Sequence, residues 1–397
     1  MDHHASPFAK NPENRMRVIV AATAIVTLVG VSLSVSGPLL SLEMERWGTS
    51  TTLAGATSTM AGLGNLITVA FVPRLARVLG VKRLMSIMLV IAAALHFAFW
   101  FFPSLWIWGA FRFVLGGAIG TLFVLSEYWI SSAADPRHRG LVMGAYATAL
   151  AIGFAIGPLL LTMTGTVGFW PYLATALIIL TGALPLLLIG QHAPTVEGKA
   201  KASILSYVRI APVATFAALT VGALEIGGFT QLPIHGLRLG LSETQAAMLV
   251  TAFAIGSVIF QIPVGILSDR FDRRIVILCV AIGASALALS LLFTSDQLLL
   301  TWMALIGLGG LVGALYTVGL AHLSSRFSDV DLVSANSAFV MLYSVGQMVG
   351  PPLIGAGIDV KGVYGLPSVM AGLLLAYAAI VIGRIIGSQS GSPQSGR

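Results

Sequence analysis

The 397-residue sequence repeats itself at an offset of about 192 residues, inside an almost continuous succession of apolar segments. Val72 to Lys82 aligns with Val264 to Arg274, with Pro73 over Gly265 and Lys82, followed by Arg83, over Arg274. Gly116-Gly117-Ala118-Ile119-Gly120 aligns with Gly309-Gly310-Leu311-Val312-Gly313, and Gly153-x-x-x-Gly157-Pro158 with Gly346-x-x-x-Gly350-Pro351. Only 9% of the residues are charged and 57% are hydrophobic, whereas a soluble domain carries roughly 25% charged residues. Such a chain cannot clothe a water-facing surface, so its solvent is lipid.

A spanning helix needs about 20 apolar residues. Twelve stretches qualify: 16–40, 53–72, 84–102, 105–131, 140–163, 168–191, 210–235, 245–266, 275–293, 297–322, 334–358 and 363–387. They do not alternate polar with apolar as barrel strands would, so the expected fold is all-α, with two pseudo-symmetric six-helix bundles. Counting segments alternately from the N-terminus places 18 of the 22 Lys and Arg on one side. The exceptions are Arg46, Arg112, Arg238 and Lys361. The positive-inside rule then puts both termini in the cytoplasm. The net charge of +7 thus reports topology and gives no reason to expect a nucleic-acid partner. Two related halves in a membrane, with a site between them, are the pattern of an alternating-access transporter.

The expected organisation is a cytoplasmic segment 1–15, a bundle 16–191, a polar linker 192–208, a second bundle 209–387 and a Ser/Gly-rich disordered tail 388–397. The first apolar run lacks a convincing small-residue cleavage site and reads as an uncleaved helix. The single Cys279 excludes an internal disulfide. No G-x-x-x-x-G-K-[ST] loop occurs, so energy comes from a gradient or transport is passive. No nucleophile–base or metal-ligand constellation stands out, and neither an enzyme nor a cofactor is expected.

The pairs Gly116/Gly120, Gly309/Gly313, Gly153/Gly157 and Gly346/Gly350 put bare stripes on helix faces and permit close backbone approach. Pro158 and Pro351 follow two of them at equivalent places. Proline kinks a spanning helix, so these segments read either as packing stripes or as bending elements.

Gly265-Ile-Leu-Ser-Asp269-Arg270-Phe-Asp-Arg273-Arg274 resembles the signature loop between helices eight and nine of the major facilitator superfamily, with Asp272 where glycine is usual. Arg112-x-x-x-Gly116 resembles its fourth-helix motif. Gly144 with Gly153-x-x-x-Gly157-Pro158 resembles its fifth-helix antiporter motif, except that Leu161-Thr162 replace the closing Gly-Gly. Arg112 to Gly117, Ser126-Glu127, Arg139-Gly140 and Asn336 to Pro351 look most like the YcaD-like branch. The resemblance covers nearly the whole chain. It implies that helices 1, 4, 7 and 10 line a central cavity.

The resemblance also implies two cytoplasmic locks. Asp269 and Asp272, with Arg270 and Arg273 beside them, would face the start of helix five near Arg137, His138 and Arg139. In the first half Arg77 stands where the motif has Asp. Arg77 and Lys82 would face Asp329 and Asp331 at the start of helix eleven, reversing the sign of that lock. The alternative is positive-inside charge without specific contact. Glu127, near the inner end of helix four, would pair with Arg77, Lys82 or Arg83.

Arg112 and Glu225 lie deep in apolar runs and need partners or a wet cavity. A carboxylate that gains and loses a cationic neighbour during a cycle takes up and releases a proton. Glu225 is therefore a candidate for proton coupling with Arg112, the alternatives being a static pair or substrate contact. His96 and His322 read as core histidines or relays. Ser32, Ser36, Gln231, Gln261, Tyr316, Thr317, His322, Tyr343 and Gln347 are candidates for lining a cavity that takes a moderately amphiphilic organic molecule. Glu43, Glu45 and Arg46 read as a solvated end of helix one. The function expected is secondary transport of a small organic molecule across a bacterial inner membrane, by proton-coupled efflux. Proton symport or uniport uptake, or a non-transporting membrane receptor or assembly subunit, are the alternatives. A monomer suffices for this arrangement.

Overall fold

The computed structural model describes residues 12–133, 139–187, 208–294, 297–326 and 329–390. In the first half, α1 is Pro12–Arg46, α2 Thr51–Leu79, α3 Val81–Phe101, α4 Leu105–Ala133, α5 Arg139–Thr164 and α6 Trp170–Leu180, with a short helical continuation Ala183–Leu187. In the second half, α7 is Pro212–Arg238, α8 Glu243–Arg270, α9 Arg273–Ser290, α10 Leu298–Ser324, α11 Asp329–Lys361 and α12 Gly365–Ser390. Ten stretches among the described residues are long and apolar enough to cross a membrane. One of them, Ala338–Ile386, holds α11 and α12 together across a 3-10 turn at Gly362–Tyr364, and α5 adds the shorter apolar stretch Thr148–Thr164.

The helices outrun the apolar stretches that announce them. Helix α1 extends to Arg46 and α11 from Asp329 to Lys361, because each added residue gains a backbone hydrogen bond once a helix has formed. Helix α6 stops early. Thr181 and Gly182 form a turn in which the Thr181 N–H bonds the carbonyls of Leu177 and Ile178. The expected linker lies mostly outside the described residues. Helix α12 is described as far as Ser390.

Two compact units follow the two halves of the sequence, with two short exceptions. Ser242–Thr251, the start of α8, belongs to the first unit, and Ser50–Gly55, the start of α2, belongs to the second. Among the ten apolar stretches of the described residues, the first of each half is the most enclosed, with 61% of the window of α1 and 78% of that of α7 buried. Large side chains such as Ile262, Met303 and Leu159 face outward, where only lipid satisfies them.

The repeated glycines make the same crossings in both units. Between α2 and α4, a Cβ added at Gly64 or Gly116 would lie 1.8 or 1.9 Å from the carbonyl oxygen of Phe113 or Ala61. Between α8 and α10, a Cβ at Gly256 or Gly309 would lie 1.8 or 1.9 Å from that of Ile306 or Phe253. Gly153 meets Thr27 of α1 as Gly346 meets Leu219 of α7, at 2.1 and 2.0 Å. Gly120 and Gly157 abut the side chains of Asn65 and Ser34, while Gly313 abuts Ser257 and Gly350 the backbone of Ala223. Pro158 lies inside α5 and Pro351 with Pro352 inside α11.

Candidate functional site

In the second unit, Glu225 sits at the midpoint of α7, thirteen residues from Pro212 and thirteen from Arg238. Its carboxylate accepts from the Tyr343 hydroxyl of α11 at 2.6 Å. Tyr343 lies edge-on to Tyr316 of α10, with centroids 5.5 Å apart, and Tyr316 to Phe339 at 5.0 Å. Gly222, one turn before Glu225, lets α11 approach until Tyr343 lies beside α7, since a Cβ there would stand 2.2 Å from the Tyr343 carbonyl oxygen. An apolar cluster of Ala211, Ala214, Ala218, Leu323, Ala335, Ala338 and Phe339 packs against the two tyrosines. The carboxylate thus has a neutral hydroxyl partner in a mostly apolar setting.

In the first unit, Arg112 is 4% exposed. One of its terminal nitrogens donates to the Ser58 hydroxyl. Its Nε and other terminal nitrogen have no hydrogen-bond partner among the described residues. It lies seven residues into α4, about 10 Å along the axis, whereas Glu225 is about 20 Å from the corresponding end of α7.

The other expected lining residues divide. The hydroxyls of Ser32 and Ser36 lie 3.4 and 2.9 Å from His96 Nε2. His96 Nδ1 donates to the Ala92 carbonyl at 2.8 Å, since a carbonyl only accepts. Gln231 is fully buried, and its Nε2 donates to the carbonyls of Thr51 and Pro351 at 3.1 and 3.0 Å. Thr317 bonds back to the Gly313 carbonyl. His322 is buried near the end of α10, and its Nε2 lacks a partner among the described residues. Gln261 and Gln347 are half-buried.

On the signature loop, Asp269 pairs with Arg273 at 3.1 Å, one turn on, and Arg273 also donates to the Ala321 carbonyl at 2.9 Å. Asp272 caps α9, accepting from the Arg274 N–H at 2.8 Å. The equivalent residue in the first half, Gly80, opens α3 at φ 78°. The departure from glycine at Asp272 thus gives α9 an N-cap. Arg77, Glu127 and Arg270 are exposed and Lys82 is half-buried. Arg137 and His138, and the side chains of Arg139, Asp329 and Asp331, lie outside the described residues, so both expected locks fall partly there.

Two polar clusters escaped the sequence reading, and they correct the solvated end assigned to helix one. In the first unit, Arg46 donates to Glu43, to both carboxylate oxygens of Glu243 and to the Thr166 hydroxyl and carbonyl. All five guanidinium N–H groups are used. In the second unit, Asp359 accepts from the backbone N–H groups of Thr51 and Thr52 at 3.0 and 2.9 Å and from their hydroxyls at 2.5 and 2.6 Å. Arg238 lies 3.9 Å from Asp359 and donates to the Ile358 carbonyl at 3.1 Å. The clusters are repeat-related. Arg46 matches Arg238, Thr51 matches Glu243 and Thr166 matches Asp359, at offsets of 192 or 193. The offset that aligns the glycines would have found them.

The model of the Major Facilitator Superfamily matches residues 22–242 and 232–395. The chain belongs to this superfamily and is an integral membrane transporter, not an enzyme. It is 27% identical over 334 residues to an uncharacterized MFS-type transporter, YfkF, of Bacillus subtilis (strain 168), covering 82% of this chain and 85% of that one. It is 26% identical over 347 residues to an uncharacterized MFS-type transporter, YcaD, of Escherichia fergusonii, covering 84% and 87%. The YcaD-like resemblance is thereby borne out. Among solved structures, the nucleoside transporter NupG aligns with a TM-score of 0.76 at 16% identity, covering 94% of this chain and 99% of that one. A bacterial homolog to the human lysosomal transporter Spinster, in an inward-facing and unoccupied conformation, aligns with a TM-score of 0.73 at 17% identity, covering 94% and 96%. These two likenesses concern the fold.

Proposed function

We propose that this protein exports a small organic molecule across a bacterial inner membrane in exchange for protons, with both termini in the cytoplasm and Glu225 as the coupling carboxylate. One observation carries the reading. Among the described residues Glu225 is the only Asp or Glu at the midpoint of a span; the others lie toward helix ends or in turns. An intramembrane carboxylate is costly and is kept for function. Its Tyr343 partner is neutral, so the pair tolerates both the charged and the protonated carboxyl. Arg112, with two N–H-bearing nitrogens left over, supplies the positive charge that the cycle exchanges with proton or substrate. The neighbouring tyrosines suit an amphiphilic organic substrate with a ring or a hydrogen-bonding edge.

Proton-gradient collapse in everted vesicles tests this. Wild type and Glu225→Gln are challenged with cationic, neutral and anionic organic compounds. A compound that dissipates the gradient with wild type alone establishes exchange and places Glu225 in the coupling step. Equal responses from the two proteins withdraw Glu225. Uptake is the second reading, because Leu161-Thr162 stand where the antiporter motif has Gly-Gly. It predicts substrate accumulation in right-side-out vesicles instead.

A further inference from the structure

A cavity of about 600 Å³ opens in the second unit, away from Glu225. Its cationic wall is Arg274, Arg326 and Arg384, and its apolar wall includes Ile210, Val213 and Ile380. Among the described residues that line it there is no carboxylate. The three arginines come from the start of α9, the turn after α10 and the end of α12. Seven of the nine lining residues fall within three positions of the end of an apolar stretch long enough to span (Pro212, Arg273, Leu323 or Ile386), while Ala379 and Ile380 reach six or seven positions further in from Ile386. The cavity therefore sits at the boundary between hydrocarbon and headgroups. Its wall is fixed beneath, where the buried Tyr377 of α12 donates to the Val213 carbonyl of α7 at 2.8 Å. Ile210 is half-exposed and Ala379 exposed, so the apolar side is open to an acyl chain.

We propose that this cavity binds an anionic phospholipid, its phosphodiester held by Arg326 and Arg384 and its chain laid along Ile210 and Ile380. Guanidinium groups match phosphate oxygens in geometry and charge. Basic pockets between spanning helices take anionic headgroups. A free anion would use the arginines and have no need of the apolar wall; a zwitterionic lipid would use the wall and gain little from the positive charge of Arg326 and Arg384. The proposal is independent of substrate, direction and proton coupling, since it rests only on the membrane placement of the second unit.

The test uses the purified full chain in detergent, titrated with phosphatidylglycerol, with phosphatidylcholine of the same acyl chains, and with inorganic phosphate, binding being read as a shift in the thermal midpoint. Wild type should respond to phosphatidylglycerol at concentrations at least tenfold below phosphatidylcholine, and inorganic phosphate should not compete. Arg326→Gln and Arg384→Gln should each weaken phosphatidylglycerol about fivefold, and the double variant about twenty-fivefold. Arg384→Lys, which keeps the charge and loses the guanidinium geometry, should fall between wild type and Arg384→Gln, and the lipid-free midpoint of each variant reports folding. Arg74→Gln, beside the apolar groove of Ile67, Phe71 and Val78 on α2, should leave the response unchanged. Equal responses to the two lipids, an unaltered double variant, or displacement of phosphatidylglycerol by inorganic phosphate would overturn the proposal, the last by showing a free-anion site.

Discussion

Arg46 and Arg238 occupy equivalent positions with unequal roles. In the first unit the arginine is the hub: it gathers Glu43, Glu243 and Thr166, and removing it leaves two carboxylates without their cation. In the second unit the carboxylate is the hub: Asp359 takes four hydrogen bonds from Thr51 and Thr52 at the N-terminus of α2, where a helix favours negative charge. Arg46→Gln should therefore cost about 1–2 kcal/mol, above the 0–1 kcal/mol of an isolated exposed pair. Asp359→Ala should cost as much, by loss of charge-assisted caps, while Arg238→Gln should cost under about 1 kcal/mol. Thermal midpoints of the three variants decide the order, and an Arg238→Gln loss equal to that of Arg46→Gln would refute the asymmetry. Legibility at this scale was uneven. Glu225 and Arg112 stood out because a charge in an apolar run is conspicuous. Glu243, Thr166 and Asp359 did not, because polar residues near helix ends need no explanation until their partners are known. The cations that broke the one-sided distribution were a clue: Arg46 and Arg238 each face acids supplied from elsewhere in the chain.

At the scale of the element, the glycines decide how closely helices cross. The backbone of Ala61 blocks a side chain at Gly116, and no rotamer change relieves a clash with backbone. Gly116→Ala and its repeat partner Gly309→Ala should each destabilise by about 1–3 kcal/mol or more. Gly372→Ala in α12, where an added Cβ meets nothing within 4 Å, should be neutral or slightly stabilising, since alanine favours helix by about 1 kcal/mol. Detergent-solubilised yield and thermal midpoint measure both, and equal behaviour at the packed and open glycines would remove the crossing argument. Helix existence was readable from apolar length alone. Helix ends were not, because α1 and α11 continue into polar sequence and α6 breaks at Thr181-Gly182.

For the whole molecule, the two units largely follow the two halves, yet each includes a short segment from the other. The start of α8 brings Glu243 to Arg46, and the start of α2 brings Thr51 to Asp359. A chain divided between 188 and 207 and expressed as two pieces should therefore co-purify and recover transport. Arg46→Gln with Asp359→Ala should weaken recovery several-fold in the divided protein while the continuous chain assembles normally. Co-purification unaffected by the pair of substitutions would show that the clusters do not hold the pieces together. By itself, the sequence determined a membrane solvent, all-helical spans and a twofold internal repeat. Lipid forbids unpaired backbone groups, and an offset of about 192 residues is visible by alignment. It also determined which charges lie deep in a span. Only the tertiary structure decided what those charges touch. Tyr343 rather than a cation faces Glu225, His96 gathers Ser32 and Ser36, Gln231 clamps two carbonyls, and three arginines from three helices surround one cavity. These partners lie tens to hundreds of residues apart, and a side chain's direction on its helix is fixed by packing that no local pattern encodes.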